Sequence, residues 1–178
     1  MHPAELKVNL FLQNALEGKT TVAEEVADKV ASDVKSAVLK QFSGGSRDNF
    51  RLRMSNIGKP KCQLWHQKNK AESKAPYEPH FLINMIIGDI VEAVFKGLLT
   101  SSGIVFDDND TVSLDLGELG EVKGEYDMVL DGAVDDVKSA SDYSFKTRFA
   151  SFEKLIEKDT FGYICLLYTS DAADEEDS

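Results

Sequence analysis

The chain has 178 residues, 42% hydrophobic and 29% charged, with 31 acidic residues against 20 basic and a net charge of −11. That length and composition predict a soluble globular domain with a sizeable core, and exclude a fibrous or mainly disordered protein. No apolar run reaches the roughly 20 residues of a bilayer span, MHPAELKVNLF lacks a secretory signal pattern, and two cysteines make no disulfide framework, so a cytoplasmic setting without a membrane partner is expected.

An N-terminal helical segment is expected over 1–45. A short helix is plausible over Ala4–Leu16, and a second is predicted over 22–42. Val22, Val26, Val30, Val34 and Val38 recur there every four residues, Thr21 and Glu24 have capping-box spacing, and Gly44 and Gly45 stop the run. The stretch Ser46–Lys74 changes character. Arg47, Arg51, Arg53, Lys59, Lys61, Lys68, Lys70 and Lys74 stand against only Asp48 and Glu72, a local net of +6 around the single tryptophan, Trp65. By itself such a stretch is as readily a solvated face as an anion-binding one. A long helix is predicted over Pro79–Thr100, ending before Ser-Ser-Gly at 101–103, and Asp107–Asp110 reads as a polar turn.

From Thr111 the hydrophobic period falls to two. Val112, Leu114 and Leu116 alternate with polar residues as in a half-buried strand, Gly117–Gly120 is a turn, and Val122–Leu130 and Ala133–Ser139 are two further strands. Asp131-Gly132 between them is a strong two-residue hairpin signal. A loop and then a helix are expected over 142–164. The element order predicts a mixed α/β (α+β) fold in which an antiparallel meander is flanked by helices.

The hairpin fixes a register. With Asp131-Gly132 as the loop, Leu130 faces Ala133, Val129 faces Val134, Asp127 faces Asp136 and Glu125 faces Lys138, so Asp127, Asp136 and Lys138 share one face. Opposed Cβ atoms lie only about 4.5–5.5 Å apart and like charges there are destabilising. Two such carboxylates need a compensating cation or a shared proton, and a hard divalent ion such as Mg²⁺ or Mn²⁺ would supply the charge. On the preceding helix, Phe81, Met85, Gly88, Glu92, Phe95 and Leu99 form one line in which Glu92 is the only charge. A glutamate there faces the core or a site, unless it pairs with Lys96 at the helix edge.

These residues resemble a known family. Gly-Glu-Tyr-Asp at 124–127 followed by Val-Asp-Asp-Val-Lys-Ser-Ala-Ser at 134–141 looks like the core of PD-(D/E)XK nucleases. Gly-Asp-Ile-Val-Glu at 88–92 is similar to the RecB-type exonuclease branch, and Arg53–Trp65 resembles the region upstream of the core in phage-encoded recombination exonucleases. The resemblance covers about residues 50–164 and implies a restriction-endonuclease-like core over 46–164. It implies metal-dependent hydrolysis of DNA, with Asp127 and Asp136 ligating Mg²⁺ or Mn²⁺, Glu92 binding directly or through water, and the Val137 carbonyl assisting. Lys138 would orient the attacking water and help deprotonate it. Arg51, Arg53, Lys59 and Lys61 would contact the DNA backbone, Ser55, Ser139 and Ser141 would add polar contacts, and Trp65 is available for stacking. The expected function is exonucleolytic DNA end processing in recombination, in a phage host's cytoplasm if phage-encoded, alongside a single-strand-annealing or recombination partner protein. A restriction-like or structure-specific endonuclease and an inactive DNA-binding module are the alternatives.

Two departures accompany the resemblance. The Gln-x-x-x-Tyr motif usual on the next helix is missing. Relatives that bind an iron–sulfur cluster do so through one upstream and three downstream cysteines, whereas here Cys62 stands alone upstream, so a cluster is disfavoured. Residues 165–175, CLLYTSDAADE, resemble the in-frame translation of a transposon-end sequencing adapter. On that reading 165–178 is a non-native tail, the core is truncated near Ile164, and the chain is expected to be poorly active. The tail also distorts the charge: without its five acids, 26 acidic residues stand against 20 basic, a net of −6. The average of −11 opposes a nucleic-acid partner, whereas its distribution favours one.

Overall fold

The computed structural model describes residues 3–43, 50–57, 59–70 and 78–158. Gly44, Gly45, Arg47, Lys74, the end of the helix expected up to 164 and the adapter-like tail lie outside them. The described part is mixed α/β, with helices and one three-stranded antiparallel sheet of order β1-β2-β3. It forms two compact units, one drawn from residues 3–43, 78–106 and 137–139, the other from 50–57, 59–70, 107–136 and 140–158. Among the described residues, no helix is long and apolar enough to cross a membrane.

The first unit is helical: α1 (Pro3–Leu16), α2 (Glu24–Phe42) and α5 (Pro79–Ser101), with α5 packed against both others. Glycine closes α1 and α5 in the same way. Gly18 (φ 70°) follows α1, where the Lys19 amide donates to the Asn14 carbonyl at 2.8 Å and the Gly18 amide to Ala15 at 3.0 Å. Gly103 (φ 69°) follows α5, with Ile104 donating to Leu99 and Gly103 to Thr100, both at 3.0 Å. Each is a left-handed cap that satisfies carbonyls the helix leaves open. Pro79 opens α5 at a position where its missing amide costs nothing.

Two expectations change in this unit. α2 begins at Glu24 behind an extended Ala23 with no side-chain cap, so the Thr21–Glu24 capping box does not form and Val22 lies outside the helix. Glu24 and Glu25 in the first turn supply negative charge at the positive helix end instead. The buried positions of α5 are Ala93, Lys96 and Leu99, whereas Phe81 and Phe95 are exposed. The core line is thus rotated from the predicted one, because Gly97 admits α2. A Cβ on Gly97 would lie 2.5 Å from Val30 Cγ2 and 3.8 Å from Val26 Cγ1, so the valine stripe of α2 seats directly on the α5 backbone.

The second unit centres on the meander: β1 (Asp107–Asp115), β2 (Glu121–Leu130) and β3 (Ala133–Asp135). A short 3₁₀ turn over Gly117–Leu119 joins the first two strands, with Gly117 (φ 61°) and Gly120 (φ 93°) in conformations that favour glycine. Asp107–Asp110, expected as a turn, belongs to β1 and pairs as Asp107–Val129, Asp108–Met128 and Asp110–Tyr126. Its exposed carboxylates mark an outer strand, where charge discourages pairing with another chain.

One sheet face is apolar: Met54, Val112 and Val122 are buried together, with Ile57, Leu114, Leu116 and Tyr126 packed around them. Met54 comes from α3 (Met54–Ile57), and the Arg53 backbone bridges Lys123 in β2. Gly124 makes this possible, because a Cβ there would meet Met54 Sδ at 2.7 Å. α4 (Lys61–Asn69), α6 (Asp142–Ser144), a π-helical turn (Phe145–Phe149) and α7 (Phe152–Lys158) complete the unit.

Candidate functional site

The Asp131-Gly132 loop has φ 53° and 79°, the two left-handed residues of a type I′ turn. It sets the expected register, with Leu130 opposite Ala133, Val129 opposite Val134 and Met128 opposite Asp135. β3 then ends, three residues into the strand expected over Ala133–Ser139. The next rung would set the Asp127 carboxylate against that of Asp136, and like charges so opposed disfavour its formation. Asp127 and Asp136 therefore bracket the end of the ladder, both half-buried. Lys138 lies beyond the sheet, exposed, with Nζ 3.5 Å from the Val137 carbonyl oxygen. The predicted common strand face for Asp127, Asp136 and Lys138 is not built by the sheet.

Glu92 is paired along its own helix. Its Oε1 accepts from Lys96 Nζ at 2.8 Å, with the two side chains 28% and 11% exposed. Glutamate four residues before lysine is the favourable orientation on a helix, and half-burial strengthens the pair over a surface one. Glu92, Val137, Lys138 and Ser139 belong to the helical unit, Asp127 and Asp136 to the sheet unit.

The donor chemistry of Asp127 and Asp136, hard carboxylate oxygens, suits Mg²⁺ or Mn²⁺. Among the described residues, no three of the His, Cys, Asp and Glu side chains are grouped to hold a metal ion. The hairpin thus fits as the source of two ligands, and a third is not assembled beside them. The Glu153 carboxyl is held below the usual glutamate range by its own backbone amide and the Ser151 hydroxyl. It sits at the start of α7 and is not one of the sequence-predicted site residues.

The basic stretch is anchored locally. Asn56 Nδ2 donates to the Arg51 carbonyl at 2.9 Å, and Asn56 Oδ1 accepts from the Arg53 amide at 2.8 Å. That clamp, with Met54 buried beneath it, leaves the Arg51 and Arg53 side chains exposed. Lys61 is exposed and Lys59 half-buried, while the Ser55 side chain lies outside what is described. Trp65 is 54% exposed on α4. The His66 ring meets it edge-on at 5.1 Å between centroids, and Lys70 Nζ stands 5.9 Å from its centroid, within cation–π range. Ser139 is exposed, and Ser141 caps α6, its hydroxyl accepting from the Ser144 amide at 3.2 Å.

Lys70, Asn56 and Met54 shape this surface without having been singled out from sequence. Only Lys70 leaves a signal there, as a base of the same stretch five residues beyond the tryptophan. No family model, curated protein or solved structure matches the chain.

Proposed function

We propose that this protein is a metal-dependent deoxyribonuclease of the PD-(D/E)XK class, with a restriction-endonuclease-like core that works exonucleolytically on DNA ends in the cytoplasm. The observation that supports the reading is the hairpin: Gly-Glu-Tyr-Asp runs into a type I′ turn whose ladder ends at Met128–Asp135, with Asp127 and Asp136 next in register. The anchored basic stretch in the same unit adds to it.

In this reading Asp127 and Asp136 would hold Mg²⁺ or Mn²⁺, with the Val137 carbonyl and Glu92 as the further ligands that the family resemblance implies. The bound cation supplies a lowered water pKa and stabilises charge on the phosphate. Lys138 would orient the attacking water and help its deprotonation, its positive charge favouring the hydroxide form. Lys96, which donates to Glu92 Oε1, would orient that carboxylate. Arg51, Arg53, Lys59 and Lys61 hold the DNA backbone.

The test is incubation of the purified full-length protein with linear and circular duplex DNA, in Mg²⁺ and in EDTA. Loss of linear DNA alone supports the exonuclease; nicked circles turn the reading to an endonuclease; binding without cleavage turns it to a non-catalytic module. Asp136→Ala and Lys138→Ala should each lower cleavage by about a hundredfold or more. Cleavage that survives both, or that is indifferent to EDTA, overturns the assignment.

A further inference from the structure

We propose that α4 is a single-strand nucleic-acid platform on which Trp65 stacks an unpaired base while Lys61, Lys68 and Lys70 engage the flanking phosphates. The inference rests on the reading of the basic stretch as a DNA-backbone surface, and it does not require cleavage. The sequence between Asp48 and Glu72 contains no acidic residue, so the helix itself carries basic charge alone. Trp65 is the single tryptophan of the chain, and a large aromatic ring left 54% exposed on a helix without buried residues contributes little to a core.

The surroundings of the ring fit a stacked base. His66 meets the indole edge-on at 5.1 Å and so bounds the ring, while Lys70 Nζ lies over the ring 5.9 Å from its centroid, a cation that a base stacking on that face would displace towards its own phosphate. Asn69 Nδ2 donates to the Trp65 carbonyl at 2.9 Å, fixing the last turn on which these groups sit. An aromatic platform beside cations is the common device for holding single strands, since every base has a π face and every linkage a charge. A duplex offers no free base face along its length. An anionic membrane calls for a broad apolar helix face, and α4 has only Leu64 and Trp65 as large apolar residues.

The probe is an oligothymidylate of about 20 nucleotides, long enough to cover one single-strand site, titrated into the whole chain in EDTA. Quenching of the Trp65 emission is expected, with tighter binding than to a blunt duplex of equal length. By anisotropy of a labelled strand, Trp65→Ala should weaken binding roughly 5- to 150-fold, and Trp65→Phe should keep most of the affinity. Lys61→Gln and Lys68→Gln should each reduce the salt dependence by about one phosphate's worth. Unchanged emission, wild-type affinity in Trp65→Ala, or equal or better binding of the duplex or of phosphatidylserine vesicles overturns the platform. Because no divalent ion is present, failure of the nuclease reading appears only in the Mg²⁺ cleavage assay and leaves these outcomes unmoved.

Discussion

The helical and sheet units each depend on a glycine lying under a neighbouring side chain, and the neighbours are of opposite kinds. Over Gly97 sits Val30, a branched side chain with one strongly preferred rotamer in a helix. Over Gly124 sits Met54, unbranched and able to fill an irregular gap. The valine belongs to a stripe repeated along α2, so the helix pair spreads its contact over several turns. The methionine is 2% exposed and, with Ile57 beside it and the Arg53–Lys123 backbone bridge, ties a basic stretch with no hydrophobic period onto the sheet. One contact is a repeated pattern, and the other centres on one buried side chain.

The sharpest test of that contrast is Met54→Ala. A buried methionine truncated to alanine costs about 2–5 kcal/mol, depending on how far the site collapses. The loss should appear as a lower midpoint in urea denaturation. It should also free the Asn56 clamp, so amide exchange over 51–57 should accelerate more than over α2. Equal acceleration in both segments would remove the description of a contact centred on Met54. Next in size is Gly97→Ala, whose methyl would sit 2.5 Å from Val30 Cγ2. Overpacking of this sort costs about 1–3 kcal/mol, and the stiff valine puts it towards the upper end. Gly124→Ala should cost less, because Met54 Sδ and Cγ can swing away. A larger loss at Gly124 than at Gly97 would reverse the argument from side-chain stiffness.

The same contrast explains what could be read from the residues. Strong local chemistry was legible: Pro79 and Gly103 bound α5, and Asp131-Gly132 fixes the hairpin register. The mixed α/β class followed from the change of hydrophobic period at Thr111. Decisions made by packing were not legible. α5 has apolar residues on several sides, with Ile83, Ile87, Val91 and Val94 exposed, so no spacing told which line meets α2; Gly97 decides it. Glu92 consequently lies at the rim and takes Lys96, the helix-edge alternative weighed from the sequence. β3 stops at Asp135 because the alternation continues through residues whose charges oppose the next rung. The role of Met54 had no signal, since a lone methionine among arginines has no period to betray it.

The smallest expected effect concerns the hairpin loop, where local conformation and long-range consequence separate. Gly132 has φ 79° and open space around its missing Cβ, so alanine there meets no clash and pays only for the left-handed backbone. That penalty is about 1–2 kcal/mol. Asp131 already occupies φ 53°, a conformation aspartate tolerates better than most residues, so the turn keeps one favourable member. With only three rungs behind it, the β2–β3 ladder has little else to hold its register. Gly132→Ala should therefore shift the urea midpoint slightly while raising exchange at the Leu130–Ala133 and Met128–Asp135 rungs sharply. The same variant should leave Met54 and the β1–β2 pairing untouched, since their apolar face lies against α3. If exchange rises equally across β1, the hairpin is no separate local element, and Asp127 and Asp136 are positioned by the sheet as a whole.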